Sequence, residues 1–373
     1  MIKVAYIGGL GLMAGPGASH LSKGEEARVL TVHDRGTPGL QRDEFRRAWT
    51  AHGAKLVPSL AALTDADRLD GIVICAGKNG DDLPIVAESV KLLQHHGAQD
   101  PFILHLSTVS SSFCTAAAAF ASRRGVEYAN YPLTGGPAGA SFGGGHPQGM
   151  LILAAGSEAL YRRLEGMLNR LGQPRYFGPR TSAGAEVKLI GQHLVFNGLS
   201  GISTGAALYA QCFTNGILEG EDQATFFDFL NRGAGGTRQW DVALSKGIRD
   251  GQWGQGFSIA HAAVDAVYAA ALAIEHKLPR YSIQPMLQAA LSFSFMLGHT
   301  ETEIPATHAV ARELVGAPGA FDAFLGRHGF YEPDSALALS AAIESMPDRV
   351  RRSVLLEVSS EAFEVSAART GEM

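Results

Sequence analysis

Short apolar runs alternate with amphipathic segments through the first half of the chain. The strand-like runs cover residues 3–7, 28–34, 71–76, 102–107, 126–132 and 149–156. Between several of these runs the apolar positions recur at helical spacing, over residues 43–51, 83–95 and 113–123. Strands that alternate with helices predict βαβ units, so we expect a mostly parallel sheet in this part of the chain.

The pattern changes near Gly178. Beyond this residue the sequence is rich in Ala and Leu and carries no further strand-like runs. Residues 185–216 predict one long helix that ends at Asn215-Gly216, because these residue types favour the backbone conformation that closes a helix. Helical spacing continues over residues 262–276, 283–297 and 301–314.

The chain is therefore predicted to have three parts. They are an α/β domain, an all-α domain joined to it by the long helix, and a helical C-terminal extension, over residues 1–178, 179–316 and 317–373. Two proline residues and a glycine punctuate the helices of the extension, at Gly329, Pro333 and Pro347.

Composition and charge narrow the class of protein. The 373 residues are 46% hydrophobic and 18% charged, which is an ordinary globular balance. The formal net charge is −5, whereas proteins that bind nucleic acid carry basic surfaces, so we expect no nucleic-acid partner. Cys75, Cys114 and Cys212 lie far apart without metal-ligand spacing, so we predict no metal site and expect reduced thiols.

Two further features of the sequence bear on the cellular compartment of the protein. The N-terminal residues lack a basic region followed by an apolar stretch and a cleavage site, so no signal peptide is predicted. The most apolar stretches, such as residues 194–213, carry polar residues throughout, which favours a buried helix over a membrane span. We therefore expect a cytoplasmic protein without a membrane partner.

The segment AYIGGLGLMAGPGASHL (5–21) carries five glycines directly after the first apolar run. Gly9, Gly11 and Ala14 fit the spacing G-x-G-x-x-A between a predicted strand and a predicted helix over residues 16–21. The first glycine allows a tight turn, the second lets a pyrophosphate approach the backbone, and the third small residue lets helix and strand pack closely. The segment predicts a dinucleotide site; the alternative is a flexible loop.

Asp34 ends the second apolar run. A carboxylate at this place accepts a hydrogen bond from the adenosine ribose 2′-hydroxyl and repels a 2′-phosphate, so NAD is the predicted cofactor. Arg35 keeps NADP open, because an arginine there can hold a 2′-phosphate or stack on adenine. The alternative is that both residues are solvated loop charges.

Four motifs together resemble one family. They are GLGLMAGP (9–16), LHLSTVS (104–110), NYPLTGGPAGA (130–140) and GPRTSAGAEVKLIGQ (178–192). Their order and spacing resemble those of the β-hydroxyacid dehydrogenases, the group that contains 3-hydroxyisobutyrate dehydrogenase and 6-phosphogluconate dehydrogenase. The resemblance implies a Rossmann domain, a long helix and a helical domain, with the active site in the cleft between the domains.

The resemblance also implies an activity and partners. It implies NAD(P)-linked oxidation of a small-molecule 3-hydroxy acid, or the reverse reduction. A homodimer or higher homo-oligomer is expected, with the helical domains as the interface.

The resemblance assigns roles to individual residues. Lys188 is implied to be the general acid and base, because a lysine in apolar surroundings can exchange a proton with a hydroxyl group. Gln192 follows one helical turn later on the same face, so it is implied to bind the same substrate. The remaining residues are implied to hold the substrate carboxylate (Thr134, Gly135 and Gly136) and the cofactor (Gly9, Leu10, Gly11, Leu12, Met13, Asp34, Arg35 and Thr108).

Each role has a plain structural alternative. A lysine on an apolar helix can extend its ammonium group to solvent, and a glycine-rich segment after a strand can be a simple turn. Thr108 can likewise be an ordinary turn residue.

The sequence also departs from the family pattern. Gly191 replaces an asparagine, Val264 replaces a lysine before Asp265, Asn130 replaces an aspartate, Thr134 replaces a serine, and Tyr131 replaces a small residue. Fewer polar contacts and added bulk predict a substrate that is larger or less polar than usual.

Two other functions and three roles for the extension stay open. An imine or ketone reductase of the same architecture is favoured by Gly191 and Val264 and disfavoured by Lys188, which also argues against a non-catalytic cofactor-binding module. The extension would cover the active-site cleft, extend a dimer interface, or pack on the helical domain.

Overall fold

A parallel sheet is built from five of the six predicted strand-like runs and from one short strand, over residues 55–57, that the apolar pattern did not predict. The computed structural model describes residues 1–21, 24–35, 40–64, 68–96, 99–217, 219–251, 258–299 and 334–369. The six strands are β1 (Ile2–Ile7), β2 (Ala27–His33), β3 (Lys55–Val57), β4 (Gly71–Ile74), β5 (Phe102–His105) and β6 (Glu127–Asn130). They are parallel and lie in the order β3-β2-β1-β4-β5-β6. The order reverses beside β1, which creates the crevice at the carboxyl ends where such sheets bind ligands.

Both faces of this sheet are buried. Successive residues of β1 alternate between two cores, with Val4 and Tyr6 on one face and Ala5 and Ile7 on the other. The helices that cover the sheet are α1 (Gly17–Leu21), α2 (Leu40–Ala51), α3 (Asn79–His96) and α4 (Ser111–Ser122). Burial on both faces explains why the central strands are continuously apolar rather than alternating.

A second, smaller sheet follows. It consists of β7 (Leu133–Thr134), β8 (Leu151–Ala154) and β9 (Gln173–Tyr176), with α5 (Gly136–Phe142) and α6 (Glu158–Leu171) between them. β7 and β8 are antiparallel, and β8 and β9 are parallel. The apolar pattern indicated only the run that contains β8, because β7 is two residues long and β9 contains proline and arginine.

The rest of the described chain is helical. Its helices are α7 (Ala183–Phe213), α8 (Glu221–Asn231), α9 (Ser245–Asp250), α10 (Ile259–Glu275), α11 (Arg280–His299), α12 (Ser335–Glu344), α13 (Asp348–Val354) and α14 (Ser360–Arg369). The long helix α7 ends as predicted, since Asn215 and Gly216 have φ angles of +52° and +82°. The helix predicted over residues 301–314 lies outside the described residues. The predicted fold class, a Rossmann-like domain followed by a helical part, is confirmed.

The chain divides into two compact units. The nucleotide-binding unit comprises Met1–Lys188 together with Leu355–Met373, and the helical unit comprises Leu189–Val354. The chain therefore leaves the first unit inside α7 and returns to it after α13, so that α14 belongs to the nucleotide-binding unit. Among the described residues, no helix is both long and apolar enough to cross a membrane.

Candidate active site

The glycine-rich loop begins directly after β1. Gly8 has a φ of +80°, and a Cβ at this position would lie 2.1 Å from the carbonyl oxygen of Cys75. Gly8, one residue before the first glycine of the motif, therefore makes the tight turn. A Cβ at Gly9 would lie 2.6 Å from Cγ1 of Val32, and the Gly9 carbonyl accepts a hydrogen bond from Nε1 of Trp49 at 2.7 Å. Packing, not flexibility, sets the shape of this loop.

The helix after the loop is shorter than predicted. Residues 12–16 form turns, and α1 begins at Gly17, one residue after the predicted start. Leu10 is buried, Met13 packs against the core, and Leu12 is exposed. The loop thus presents backbone and small residues at the switch point of the sheet, which fits a dinucleotide.

Asp34 lies beside this loop, as its position after β2 predicts. Its Oδ2 accepts a hydrogen bond from the Leu10 N–H at 3.1 Å. Its Oδ1 accepts one from Nη1 of Arg42 at 2.9 Å. Arg35 is exposed. Sequence reasoning missed Arg42, because nothing distinguishes it in sequence from the other arginines of α2.

Thr108 lies in the loop that follows β5. Within residues 101–110 it is the one that remains partly exposed, whereas the others are buried. Asn130 fixes the first part of this loop: its Nδ2 donates to the carbonyls of His105 and Ser107 at 3.0 and 3.1 Å. The Ser107 hydroxyl in turn accepts the N–H of Ala76, at the end of the neighbouring strand, at 3.1 Å.

Asn79, the first residue of α3, fixes the other end of the Thr108 loop. Its Oδ1 accepts the N–H of Ser110 at 3.0 Å, and its Nδ2 donates to the Ser110 hydroxyl at 2.7 Å. Ser110 also caps α4 by accepting the N–H of Phe113 at 3.2 Å. Two buried amides thus hold the loop of the partly exposed Thr108, and this role was not identified from the sequence for either amide.

Gly135 and Gly136 are adjacent residues with left-handed backbone. Their φ angles are +128° and +67°, and both residues are exposed at the start of α5. A Cβ at Gly135 would lie 3.1 Å from Cα of Met150. Thr134 is partly exposed beside them. The motif therefore forms an exposed backbone turn in which two successive positions require glycine.

Lys188 lies in the second turn of α7 and is only 7% exposed. Gly184 precedes it by one turn, and a Cβ there would lie 2.4 Å from the carbonyl oxygen of Leu153 and 3.0 Å from that of Asn130. Only glycine permits the helix to approach the ends of β6 and β8 so closely. This contact fixes Lys188 relative to the sheet.

Glu186 connects the start of α7 to the Thr108 loop. Its Oε1 accepts hydrogen bonds from the hydroxyls of Ser182 at 2.8 Å and Ser111 at 3.1 Å, and it forms an ion pair with Arg180. Burial alone would raise the pKa of this carboxyl. The hydrogen bonds outweigh that effect, so the pKa of Glu186 lies below its usual value. A carboxylate near Lys188 therefore stays ionised.

Gln192 lies one turn after Lys188 on α7, in the helical unit. Its Nε2 donates to Oδ2 of Asp265 at 2.7 Å, and both side chains are buried. Asp265 is the acidic member of the Val264-Asp265 pair, and Val264 is also buried. The structure thus joins two of the residues that the sequence analysis considered separately.

Two departures from the family pattern do not lie where the sequence analysis expected them. Tyr131 is fully buried in the core and packs on Tyr161 with ring centroids 6.4 Å apart, so it does not add bulk to a substrate pocket. Asn130 is fully buried and bonds the Thr108 loop. The inference of a larger substrate from these two residues is wrong, because both side chains are buried and contact other residues of the protein interior.

No group of His, Cys, Asp or Glu side chains within the described ranges is placed to hold a metal ion. Burial raises the pKa of the Cys75 thiol to about 12, which keeps it protonated.

Comparison with known proteins agrees with this geometry. Residues 3–188 match the family model for the NAD-binding domain of 6-phosphogluconate dehydrogenase. The predicted resemblance to the β-hydroxyacid dehydrogenase family is thus supported for this part of the chain. The expectation of an NAD(P)-binding domain is confirmed.

Two curated relatives are distant. The 2-(hydroxymethyl)glutarate dehydrogenase of Eubacterium barkeri is 24% identical over 157 residues, 42% of this chain and 48% of that protein. The match thus spans about half the length of that relative. An uncharacterized oxidoreductase of Shewanella frigidimarina is 25% identical over 264 residues, covering 69% of this chain and 81% of that protein.

Solved structures share the fold at low identity. A 3-hydroxyisobutyrate dehydrogenase from Salmonella typhimurium has a TM-score of 0.68 at 19% identity and covers 84% of this chain and 99% of its own. The Mycobacterium tuberculosis 3-hydroxyisobutyrate dehydrogenase, solved with L-serine, has a TM-score of 0.62 at 17% identity, with coverages of 83% and 98%.

Proposed function

We propose that this protein transfers hydride between a nicotinamide cofactor and a 3-hydroxy acid, or a related alcohol or aldehyde, with Lys188 as general acid and base. The observation that carries the proposal is the burial of Lys188 at the start of α7, in the same compact unit as the glycine loop and Thr108. A buried titratable side chain within a ligand-binding unit is a candidate for proton transfer.

The proton chemistry follows from the position of the lysine. The cofactor, when bound, supplies the hydride acceptor or donor at its nicotinamide ring. Oxidation of an alcohol requires a base that takes the hydroxyl proton, and Nζ of Lys188 fills that role; in the reverse direction it returns the proton. Burial disfavours the charged form of an amine, so that a larger fraction of it is neutral and able to accept a proton.

The substrate carboxylate would bind at the start of α5. The exposed N–H groups of Gly135 and Gly136 and the hydroxyl of Thr134 supply hydrogen-bond donors for it. Gln192, one turn after Lys188 on α7, is proposed as a further substrate-binding residue. The preference for a larger or less polar substrate now rests on Gly191, beside which a Cβ would meet no atom within 4 Å, and on the buried Val264.

Absorbance of the reduced nicotinamide tests the proposal. NAD⁺ and NADP⁺ are offered separately with 3-hydroxy acids that range from short aliphatic to aromatic. Lys188→Ala should lower kcat by about 10²–10⁴ and leave the cofactor Kd within about twofold. Lys246→Ala, at an exposed lysine of α9, is the matched control and should leave both unchanged.

Each outcome separates the candidates. Turnover that survives in Lys188→Ala would refute the role of the lysine. Cofactor binding without turnover of any hydroxy acid would favour an imine or ketone reductase, to be assayed with NADPH and bulky ketones or imines. Intact biological activity in Lys188→Ala would favour a non-catalytic module.

We also propose a preference for NAD over NADP. Asp34 at the end of β2 supports it, because its carboxylate can accept from a ribose 2′-hydroxyl and repels a 2′-phosphate. The Arg42 ion pair offsets part of that charge. Titration should give a lower Kd for NAD⁺, and Asp34→Asn should reduce the preference; a lower Kd for NADP⁺ would assign the phosphate to Arg35 instead.

Pairing of two copies through the helical unit is our proposal for the oligomer. Leu194, Leu208, Phe213, Ile217 and Phe229 are each 61–73% exposed, although they are large and apolar. Light scattering after gel filtration should give the mass of a homodimer. Phe213→Ser with Phe229→Ser should give the monomer, whereas Leu337→Ser, an exposed leucine of α12, should not.

A further inference from the structure

After α13 the chain returns to the nucleotide-binding unit and stays there. The crossing lies between Val354 and Leu355, and the chain then continues into α14. We call residues 355–369 the strap. The sequence analysis left its role open between covering a cleft, extending an interface and packing on the helical domain; in the structure it packs on α3 and α4 of the nucleotide-binding unit.

The far end of the strap is firmly docked. Phe363 is fully buried, with ring centroids 5.2 Å from Phe113 and 5.4 Å from Phe120. Glu364 accepts a hydrogen bond from Nη1 of Arg124 at 2.9 Å, and the ion pair holds its pKa below the usual value. The strap is therefore a fixed part of this unit.

The near end of the strap contacts the residues that fix the Thr108 loop. The Leu355 carbonyl accepts a hydrogen bond from Nδ2 of Asn79 at 2.9 Å. The Leu356 carbonyl accepts one from the Ser112 hydroxyl, also at 2.9 Å. Asn79 is the same amide that holds Ser110, so the strap is bonded to both sides of the turn that leads from Thr108 into α4.

Leu355 has a backbone that leucine rarely adopts. Its φ is +33°, in the region that favours glycine. Such a conformation costs energy and persists only where the surroundings impose it, most often at functional sites. Here it occurs at the residue whose carbonyl Asn79 holds.

We propose that the strap is a positioning element for the nicotinamide half of the cofactor. It holds Asn79 and Ser112, and through them it keeps Thr108 in place beside the ring. The inference rests on the proposed function and on the family resemblance, which implies that Thr108 lies beside the nicotinamide. The adenosine half of the cofactor is proposed to bind at the glycine loop and Asp34, which follow β1 and β2, whereas Thr108 follows β5. Loss of the strap should therefore weaken binding of the nicotinamide half more than binding of the adenosine half.

Calorimetric titration with two ligands compares the Kd of the whole dinucleotide with that of its adenosine half. The ligands are NADH, or NADPH if it binds more tightly, and the fragment without nicotinamide, ADP-ribose or its 2′-phosphate. A chain that stops after Ser359 lacks α14. Its Kd for the dinucleotide should rise about tenfold, because one or two hydrogen-bonding groups are no longer held in place. Its Kd for the fragment should change less than about twofold.

A second variant does not depend on folding without α14. Ser112→Ala removes the hydroxyl that bonds the Leu356 carbonyl and keeps the rest of the strap. It should raise the dinucleotide Kd by about two- to fivefold without changing the fragment Kd. Ser122→Ala, the same change at the exposed far end of α4, is the control and should change neither.

The outcomes are decisive in each direction. Equal weakening of both ligands would mean general destabilisation and would overturn the proposal, as would unchanged dinucleotide binding in Ser112→Ala. If the shortened chain does not fold, Ser112→Ala alone decides. Wild-type protein that binds the dinucleotide but oxidises no hydroxy acid would refute the proposed function and leave this binding test valid.

Discussion

Two tyrosines near the end of β6 should respond in opposite ways to loss of their hydroxyl groups. Tyr128 and Tyr131 are 6% and 0% exposed and lie in the cores on opposite faces of the sheet. The Tyr128 hydroxyl lies 2.7 Å from Nδ1 of His105, whereas that of Tyr131 has no hydrogen-bond partner among the described residues. Burial raises the pKa of both phenols, so both are neutral in ordinary buffers.

The magnitudes follow from the cost of an unsatisfied buried group. That cost is about 1–3 kcal/mol, so Tyr131→Phe should raise the free energy of unfolding by about 1 kcal/mol. Tyr128→Phe loses a hydrogen bond and leaves His105 without that partner, which should lower the free energy of unfolding by about 2–3 kcal/mol. At about 2–4 °C per kcal/mol, the two Tm values should differ by roughly 6–16 °C.

Scanning calorimetry measures both variants. Because the two units need not unfold together, the relevant transition is the one that moves upward when the dinucleotide is added. Turnover is measured alongside, and Tyr131→Phe should change kcat/KM by less than about twofold, since Tyr131 lies in the core. A lower Tm for Tyr131→Phe, or a loss of turnover at unchanged Tm, would refute the placement of this residue.

Three further substitutions test the architecture. Gly8→Ala should abolish dinucleotide binding, because the new Cβ would lie 2.1 Å from a carbonyl oxygen. Gly53 also has a positive φ, +82°, but a Cβ there would meet no atom within 4 Å, so Gly53→Ala should lower the free energy of unfolding by only about 1 kcal/mol, as measured by a thermal melt. Asp82→Ala removes the buried carboxylate oxygen that lies 2.8 Å from Nε2 of His105 and should lower the free energy of urea unfolding by about 1–3 kcal/mol, the cost of an unpaired buried polar group. The pKa of Glu186 is lowered in the folded protein, so the ionised carboxylate stabilises the fold above pH about 4.5, and this stabilisation is lost as the pH falls through the pKa of the folded state. Glu186→Gln should therefore flatten the acid side of a curve of Tm against pH, and an unchanged acid side would contradict this.

The regular part of the fold could be predicted from the sequence because its signals are local. Apolar runs located the central strands to within a few residues, and Asn215-Gly216 marked the end of α7. The second sheet was not predicted, because β7 and β9 are short and lack an apolar pattern of their own. Both strands form by pairing with β8. Gly8 was missed because the motif spacing does not reveal which glycine has the left-handed backbone.

The supports of the candidate site could not be predicted because they are distant in sequence. Asn79 and Leu355 are separated by 276 positions, and Ser111 and Glu186 by 75. No periodicity or local motif connects such residues; only the folded backbone brings a buried amide to the carbonyl it binds. The motifs therefore located the groups proposed to touch ligands, while the groups that hold those motifs in place became visible only in three dimensions.

Asn130 shows why a departure from a family motif has to be located before it is interpreted. An aspartate at this position has only acceptor oxygens when it is ionised, so it cannot donate to the carbonyls of His105 and Ser107. The amide of Asn130 donates to both, and its Oδ1 lies 3.5 Å from Sγ of Cys114. Replacing the carboxylate by an amide thus changes how the Thr108 loop is anchored. The substitution carries information about the scaffold of the cofactor site, and the case for an unusual substrate depends on Gly191 and Val264 alone.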